Sequence, residues 1–126
     1  MRFLRVALLP AIIALPWRPA QGQGAAPVSP QVYEGWRQYS VHCARCHGQD
    51  VLGNPVTANL LESAAPGGAV ADEGAFTAVV MQGRPAKGMP AFHDQLTGEQ
   101  AAAVFAYVSG RAAGAVPAGR PRPADT

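Results

Sequence analysis

The sequence predicts an all-α fold of three to four helices. Three observations carry this. Apolar residues recur at helical spacing in three stretches. Each stretch opens on a residue suited to capping a helix. Strand-type alternation is weak throughout.

Ser29-Pro30 pairs an N-cap with a first helical position, so the first helix is expected from Pro30 to Cys43. Val32, Trp36, Tyr39 and Cys43 recur at spacings of 4, 3 and 4 and share one face. Gly35, Tyr39 and Cys43 form a neighbouring row. Residues 48–71 keep no period and are punctuated by Gly48, Gly53, Pro55, Pro66, Gly67 and Gly68. Leu60 and Leu61 are the apolar anchors there, on one short helical turn. A loop this long in a compact domain is usually functional.

Asp72 is the expected N-cap of a second helix that runs to Met81, with Phe76, Val79 and Val80 as its stripe and Gly83 as its C-terminal cap. Residues 84–95 form a loop carrying Arg84, Pro85, Gly88, Met89 and Pro90. The last helix has the clearest start. Leu96-Thr97-Gly98-Glu99-Gln100 is a capping box, with Thr97 as N-cap and Gln100 reaching back to it. Leu96 and Ala101 suit a hydrophobic staple. Ala101, Val104, Tyr107 and Val108 make the buried stripe, and Gly110 is expected to end the helix. Residues 112–126 are rich in Pro, Ala, Gly and Arg and predict an extended, flexible tail.

The chemistry concentrates in Cys43-Ala44-Arg45-Cys46-His47. These are the only two cysteines, and a histidine follows the second directly. This is the C-x-x-C-H pattern of c-type haem attachment. Each thiol can add across one haem vinyl group, and the adjacent imidazole can bind iron from the proximal side. Two cysteines three apart also suit a small disulfide, a thioredoxin-like redox pair or half of a zinc site. A structural zinc takes four ligands, and only His42 and His93 remain beyond the pentapeptide. A thioredoxin fold needs βαβ strands, which this chain does not offer. One covalent haem c, held by Cys43 and Cys46 with His47 on the iron, is the favoured reading.

The first residues read as an export signal. Arg2 and Arg5 form a positive n-region, Val6 to Leu15 is apolar apart from Pro10, and small and polar residues follow to Ala26. The apolar run is shorter than the roughly 20 residues of a membrane-spanning helix. Cleavage after Ala26 puts Gly24 at −3 and Ala26 at −1, whereas cleavage after Ala20 would put Arg18 at −3. The expected organisation is therefore a signal peptide over 1–26, one domain over 27–111 and the tail over 112–126. The implied location is the bacterial periplasm, with membrane contact only if the N-terminal segment stays uncleaved.

Three of the ten basic residues, Arg2, Arg5 and Arg18, lie in the signal segment, which leaves seven basic against eight acidic residues and a net charge of −1. Nothing in that balance suggests nucleic-acid binding, which would want a basic face. Beyond residue 26 the aromatics are Tyr33, Trp36, Tyr39, Phe76, Phe92, Phe105 and Tyr107. About a hundred residues bury a modest core. A buried macrocycle would supply the missing apolar volume, so the haem-free chain is expected to be largely unfolded.

Two methionines remain after removal of the signal segment. Met81 falls in the helical stripe, where its default role is packing. Met89 lies between Gly88, which permits close backbone approach, and Pro90, which stiffens the segment. Met89 is thus the expected sixth ligand, 42 residues after His47. His42 and His93 read as solvated loop histidines. Met/His ligation fills both axial positions and favours electron transfer over peroxide or oxygen chemistry. Arg45, Arg84 and Lys87 read as solvated charge, with propionate pairing or docking of an acidic partner as the alternative. Trp36 reads as a packing residue.

These residues resemble class I c-type cytochromes over residues 31–110. Gly35, Tyr39 and Cys43 match that family's spacing on the first helix, and Val104 and Tyr107 match the pair on the last helix. The resemblance implies the small class I cytochrome c fold, with a tight helix crossing at Gly35, and an electron-transfer protein rather than an enzyme. Related chains place a proline carbonyl on the proximal histidine. Here the segment reads Thr57-Ala58-Asn59-Leu60 with Pro55 earlier, which leaves Ala58 and Pro55 open as acceptors.

A narrower resemblance rests on Gly35-Trp36-Arg37-Gln38-Tyr39, the run from Cys46 to Gly53, Met89-Pro90-Ala91 and the stretch from Gly114 to Pro121. These are similar to periplasmic cytochromes that serve PQQ-dependent methanol and alcohol dehydrogenases. The resemblance implies a monomeric one-electron carrier between a quinoprotein dehydrogenase and a terminal oxidase or another cytochrome. The competing functions are a haem-based sensor or small peroxidase with a labile sixth ligand, a carrier for another respiratory dehydrogenase or reductase, and a haem-free thiol–disulfide protein.

Overall fold

Capping at Ser29 starts the first helix as its sequence position demands: the Ser29 hydroxyl accepts from the Val32 N–H at 3.2 Å. The computed structural model describes residues 26–125. The expected signal peptide thus lies outside the described residues except for Ala26. Five helical segments follow: α1 over Pro30–His42, α2 over Ala44–His47, α3 over Leu60–Ser63, α4 over Glu73–Gln82 and α5 over Gly98–Ala112. Two of them, α2 and α3, are single turns of four residues. Short 3₁₀ turns lie at Gln49–Val51 and Pro85–Lys87. Among the described residues there is no β-strand, only two isolated bridges.

The caps fall where their side-chain chemistry puts them. Asp72 accepts from the Ala75 N–H at 3.0 Å to open α4, and Gly83 closes it. Thr97 and Gln100 form both bonds of the capping box on α5. Each such cap is worth about 1 kcal/mol. Leu96 and Ala101, the expected staple, are both buried in the core.

The largest interface joins α1 to α5. Gly35 makes it possible, because a Cβ there would run into the Ala103 carbonyl and sit 3.0 Å from the Tyr107 Cβ. With no side chain at residue 35, the two backbones come together and Tyr39 stacks at a tilt on Tyr107, with ring centroids 5.4 Å apart. Tyr39, Val51, Val104, Tyr107 and Val108 are the largest fully buried side chains. Burial pushes the Tyr39 phenol well above its ordinary range and the Tyr107 phenol up to about 12.

Two expectations need correction. Gly110 does not end α5, which continues to Ala112. A Cβ at Gly110 would meet the Val116 Cγ2 at 2.7 Å, so this glycine makes room for the returning chain. Nor is the segment after residue 112 free over its described part. Val116 is buried, Arg111 donates to its carbonyl at 2.7 Å, and Gly119 N donates to Asp50 Oδ1 at 2.9 Å. The Arg120 guanidinium lies 5.5 Å from the Trp36 ring centroid and donates to the Tyr33 hydroxyl at 2.7 Å. Val28 N donates to Arg122 O, and Ala124 N to Val28 O, each at 2.8 Å. Proline- and glycine-rich composition rules out a helix there, but not docking onto aromatic and backbone partners distant in sequence.

That strap grips a strained turn. Asp50 and Val51 both take positive φ, 56° and 63°, although neither is glycine. A β-branched residue there is an outlier, at a cost of about 1–3 kcal/mol. Burial of Val51, the Arg111 Nε bond to Asp50 O at 2.9 Å and the Tyr39 hydroxyl bond to Gly48 O at 2.7 Å hold it.

Candidate haem site

One cavity of about 930 Å³ opens between α1, α2, α4 and the two long loops. That is at the upper end of the ~300–1,000 Å³ usual for small-molecule sites. Cys43, Cys46, His47 and Met89 all line it. So do the apolar side chains Leu60, Val70, Phe76, Val80, Phe92 and Val104. Residues 46 positions apart in the sequence, Cys43 and Met89, thus line one cavity.

The single turn α2 presents the pentapeptide. Cys43 caps the end of α1, and its carbonyl accepts from both Cys46 N and His47 N, at 3.1 and 2.9 Å. Cys43 is half-buried and Cys46 exposed. Burial, with the neighbouring Cys46 thiol second, pushes the Cys43 thiol up to about 12. A redox-active C-x-x-C pair has a depressed thiol pKa, so this environment opposes the thiol–disulfide reading. Among the described residues no group of three or more His, Cys, Asp or Glu side chains is placed to hold a zinc ion.

His47 Nδ1 lies 3.2 Å from the Ala58 carbonyl. A carbonyl only accepts, so Nδ1 carries the proton and Nε2 keeps its lone pair for a metal. The acceptor left open between Ala58 and Pro55 is therefore Ala58.

Met89 is set by a clasp within its own loop. Arg84 N donates to Met89 O at 2.8 Å and Met89 N to Arg84 O at 3.2 Å, closing the turn over Pro85–Lys87. Gly88 completes that turn at φ +80°, and a Cβ there would meet nothing within 4 Å. Its role within the protein is thus the left-handed conformation itself. Met81 packs against the core and is not part of the cavity wall.

The other candidates separate by position. His93 is exposed, beside Asp94 and 3.2 Å from the Met81 carbonyl, away from the cavity wall. His42 differs from expectation: it is the last residue of α1, half-buried, edge-on to Phe92 with centroids 6.0 Å apart, and it lines the cavity. The helical register that puts Tyr39 and Cys43 inward carries its neighbour part of the way. Arg45, Arg84 and Lys87 are exposed side chains at the cavity rim. Trp36 packs on Tyr33 and under Arg120, outside the cavity wall.

Two thiols, an imidazole with a free nitrogen and a thioether around an apolar cavity fit haem c as a donor set. A helical shell built on this set is a class I c-type cytochrome. Residues 30–108 match the family described as Cytochrome C oxidase, cbb3-type, subunit III, and the chain belongs to that family. Among solved structures it is similar to the c-type cytochrome XoxG from Methylobacterium extorquens AM1. The two agree with a TM-score of 0.64 at 28% identity, over 76% of this chain and 60% of that one. The chain thus spans less than two thirds of the length of XoxG. No curated protein matches it. The family and this likeness place the chain among the c-type cytochromes. Among the described residues no helix is long and apolar enough to cross a membrane.

Proposed function

We propose that this protein is a periplasmic one-electron carrier with a single haem c, attached through Cys43 and Cys46 and ligated by His47 and Met89. Residues 1–26 serve as its signal peptide and residues 27–111 as its haem domain, and the mature protein works as a monomer. The observation that carries the reading is the convergence of those four side chains on one apolar cavity. Bound haem supplies the Fe(III)/Fe(II) couple. The chain's own contribution is positional. Cys43 and Cys46 offer two sulfurs on one short turn, His47 offers Nε2 with its other nitrogen fixed by Ala58, and the clasped loop offers the Met89 sulfur. Phe76, Val80, Phe92 and Val104 keep water from the site, which raises the cost of charge there.

The donor we propose is a quinoprotein (PQQ) methanol or alcohol dehydrogenase, with a terminal oxidase or another cytochrome as acceptor. The sequence resemblance to cytochromes of such dehydrogenases supports it. The test is stopped-flow reduction of the purified oxidised protein by reduced quinoprotein dehydrogenases. Fast haem reduction by one of them is expected. No acceleration by any would end the donor assignment, whereas a pyridine haemochrome assay without one haem per chain would end the carrier reading itself.

A further inference from the structure

The carbonyl that orients His47 belongs to an alanine in a stretch with no helix or strand, two residues after Val56, which is 89% exposed. Nothing in the backbone of residue 58 fixes such a carbonyl in place. Two side chains on the same stretch do the fixing. Thr57 Oγ1 donates to the Cys46 carbonyl at 2.9 Å, and Asn54 Nδ2 donates to that same oxygen. Asn54 Oδ1 in turn accepts from Val56 N at 2.9 Å, folding the loop onto its own tether. Gly53 N closes the near end on the His47 carbonyl at 2.9 Å.

The Cys46 carbonyl is one of the last in α2 and has no onward helical partner. Its two lone pairs take the two side-chain donors. The loop is thereby tied to the residue next to His47 at two points: Asn54, four residues before Ala58, and Thr57, next to Ala58. Release of either tether frees the Ala58 carbonyl to swing away from Nδ1.

We propose that Thr57 and Asn54 are positioning residues for the proximal imidazole, setting its electron donation through the Ala58 carbonyl. The inference rests on the His47 ligation proposed above. A strong Nδ1–H···O=C bond makes the imidazole a more basic ligand and favours the oxidised metal. Loosening the tether weakens that bond and raises the midpoint potential.

Thr57 lines the cavity and Asn54 does not. Loss of the Thr57 hydroxyl could therefore act on haem polarity directly, whereas an effect of Asn54 must travel through the loop. The experiment compares haem-loaded Thr57→Val, Thr57→Ser and Asn54→Ala with the parent protein. It reads the midpoint potential, the iron–histidine stretch by nuclear resonance vibrational spectroscopy, and solvent exchange of the His47 Nδ1–H by NMR. Thr57→Val and Asn54→Ala should each raise the midpoint, lower the stretching frequency and speed the exchange by about tenfold, the worth of one hydrogen bond. Thr57→Ser, which keeps the donor, should match the parent. Variants that only melt earlier, with midpoint, frequency and exchange unchanged, would make the tethers a plain helix cap and overturn the proposal. Should Thr57→Val fail to load haem, Asn54→Ala decides alone by the same three readouts. A parent protein with haem but no iron–histidine stretch would overturn the ligation reading, a separate result.

Discussion

Gly35→Ala sets two effects of opposite sign against each other at one position. In a helix interior alanine is better than glycine by about 1 kcal/mol. On propensity alone the substitution would stabilise α1. The new Cβ, however, would occupy the place of the Ala103 carbonyl and approach the Tyr107 Cβ to 3.0 Å. The obstacle is helix backbone, which cannot rotate away as a side chain can. The helices must separate, and the contact among Tyr39, Val104 and Tyr107, all at most 1% exposed, loosens with them. Overpacking of this kind costs about 1–3 kcal/mol, more where backbone must shift. Lost dispersion at the fully buried residues adds to it.

With the overpacking cost at the top of that range, because backbone must shift, the net expectation is a loss of about 2 kcal/mol after the propensity gain. For a domain of about a hundred residues that lowers the melting temperature by roughly 8–16 °C, at about 4–8 °C per kcal/mol. Guanidinium titration of the haem-loaded protein, followed by far-UV circular dichroism and by the Soret band, measures it. A variant as stable as the parent, or more so, would refute the claim that backbone contact at residue 35 builds the α1–α5 interface.

Further expectations follow from single contacts and from the cavity. Tyr39→Phe removes the 2.7 Å bond to Gly48 O and should cost about 1 kcal/mol, whereas the buried Tyr107 hydroxyl has no hydrogen-bond partner among the described residues, so Tyr107→Phe should be neutral or stabilising; chemical denaturation compares them. Both phenols ionise later in the folded protein than in the unfolded chain, so above about pH 10 the unfolded state sheds protons the native state keeps, and stability should fall by up to about 1.4 kcal/mol per pH unit for each. Melts between pH 9 and 12 check the sign (roughly the window from the free phenol upward), and a rise in stability would contradict it. Truncation after Ala115 removes buried Val116, the Arg120 contact and the Gly119 bond, and should cost about 2–4 kcal/mol, where a free tail would cost nothing. The haem-free chain should lack native helix content by circular dichroism. A dry cavity of 930 Å³ would cost about 20 kcal/mol at ~24 cal/mol per Å³, above the ~5–15 kcal/mol that holds a domain together.

The local signals were legible in the sequence. Ser29, Asp72 and the Thr97–Gln100 pair cap helices because their bonds reach only three residues along the chain. The pentapeptide and Met89 stand out in the sequence because few residue types can hold haem iron, and the fold brings both to one cavity. What escaped is non-local. Asn54 and Thr57 reach Cys46 across 8 and 11 residues, and no periodicity marks that. Arg111 and Gly119 find Asp50 across 61 and 69 residues. The tail's composition signals loss of helix, yet Arg120 finds Trp36 and Tyr33 by cation–π and hydrogen-bond geometry that only the folded α1 creates. Gly110 was misread for the same reason: its partner, Val116, arrives through that fold-back.

The proposed electron transfer rests on His47 and Met89, which line the same cavity, both ligating one haem iron. The most direct test is potentiometry of Met89→Ala beside the parent protein, with the oxidised absorption spectrum recorded at each step. The account predicts a lower midpoint and loss of the weak far-red band of sulfur-bound Fe(III). An unchanged midpoint with that band intact would contradict it.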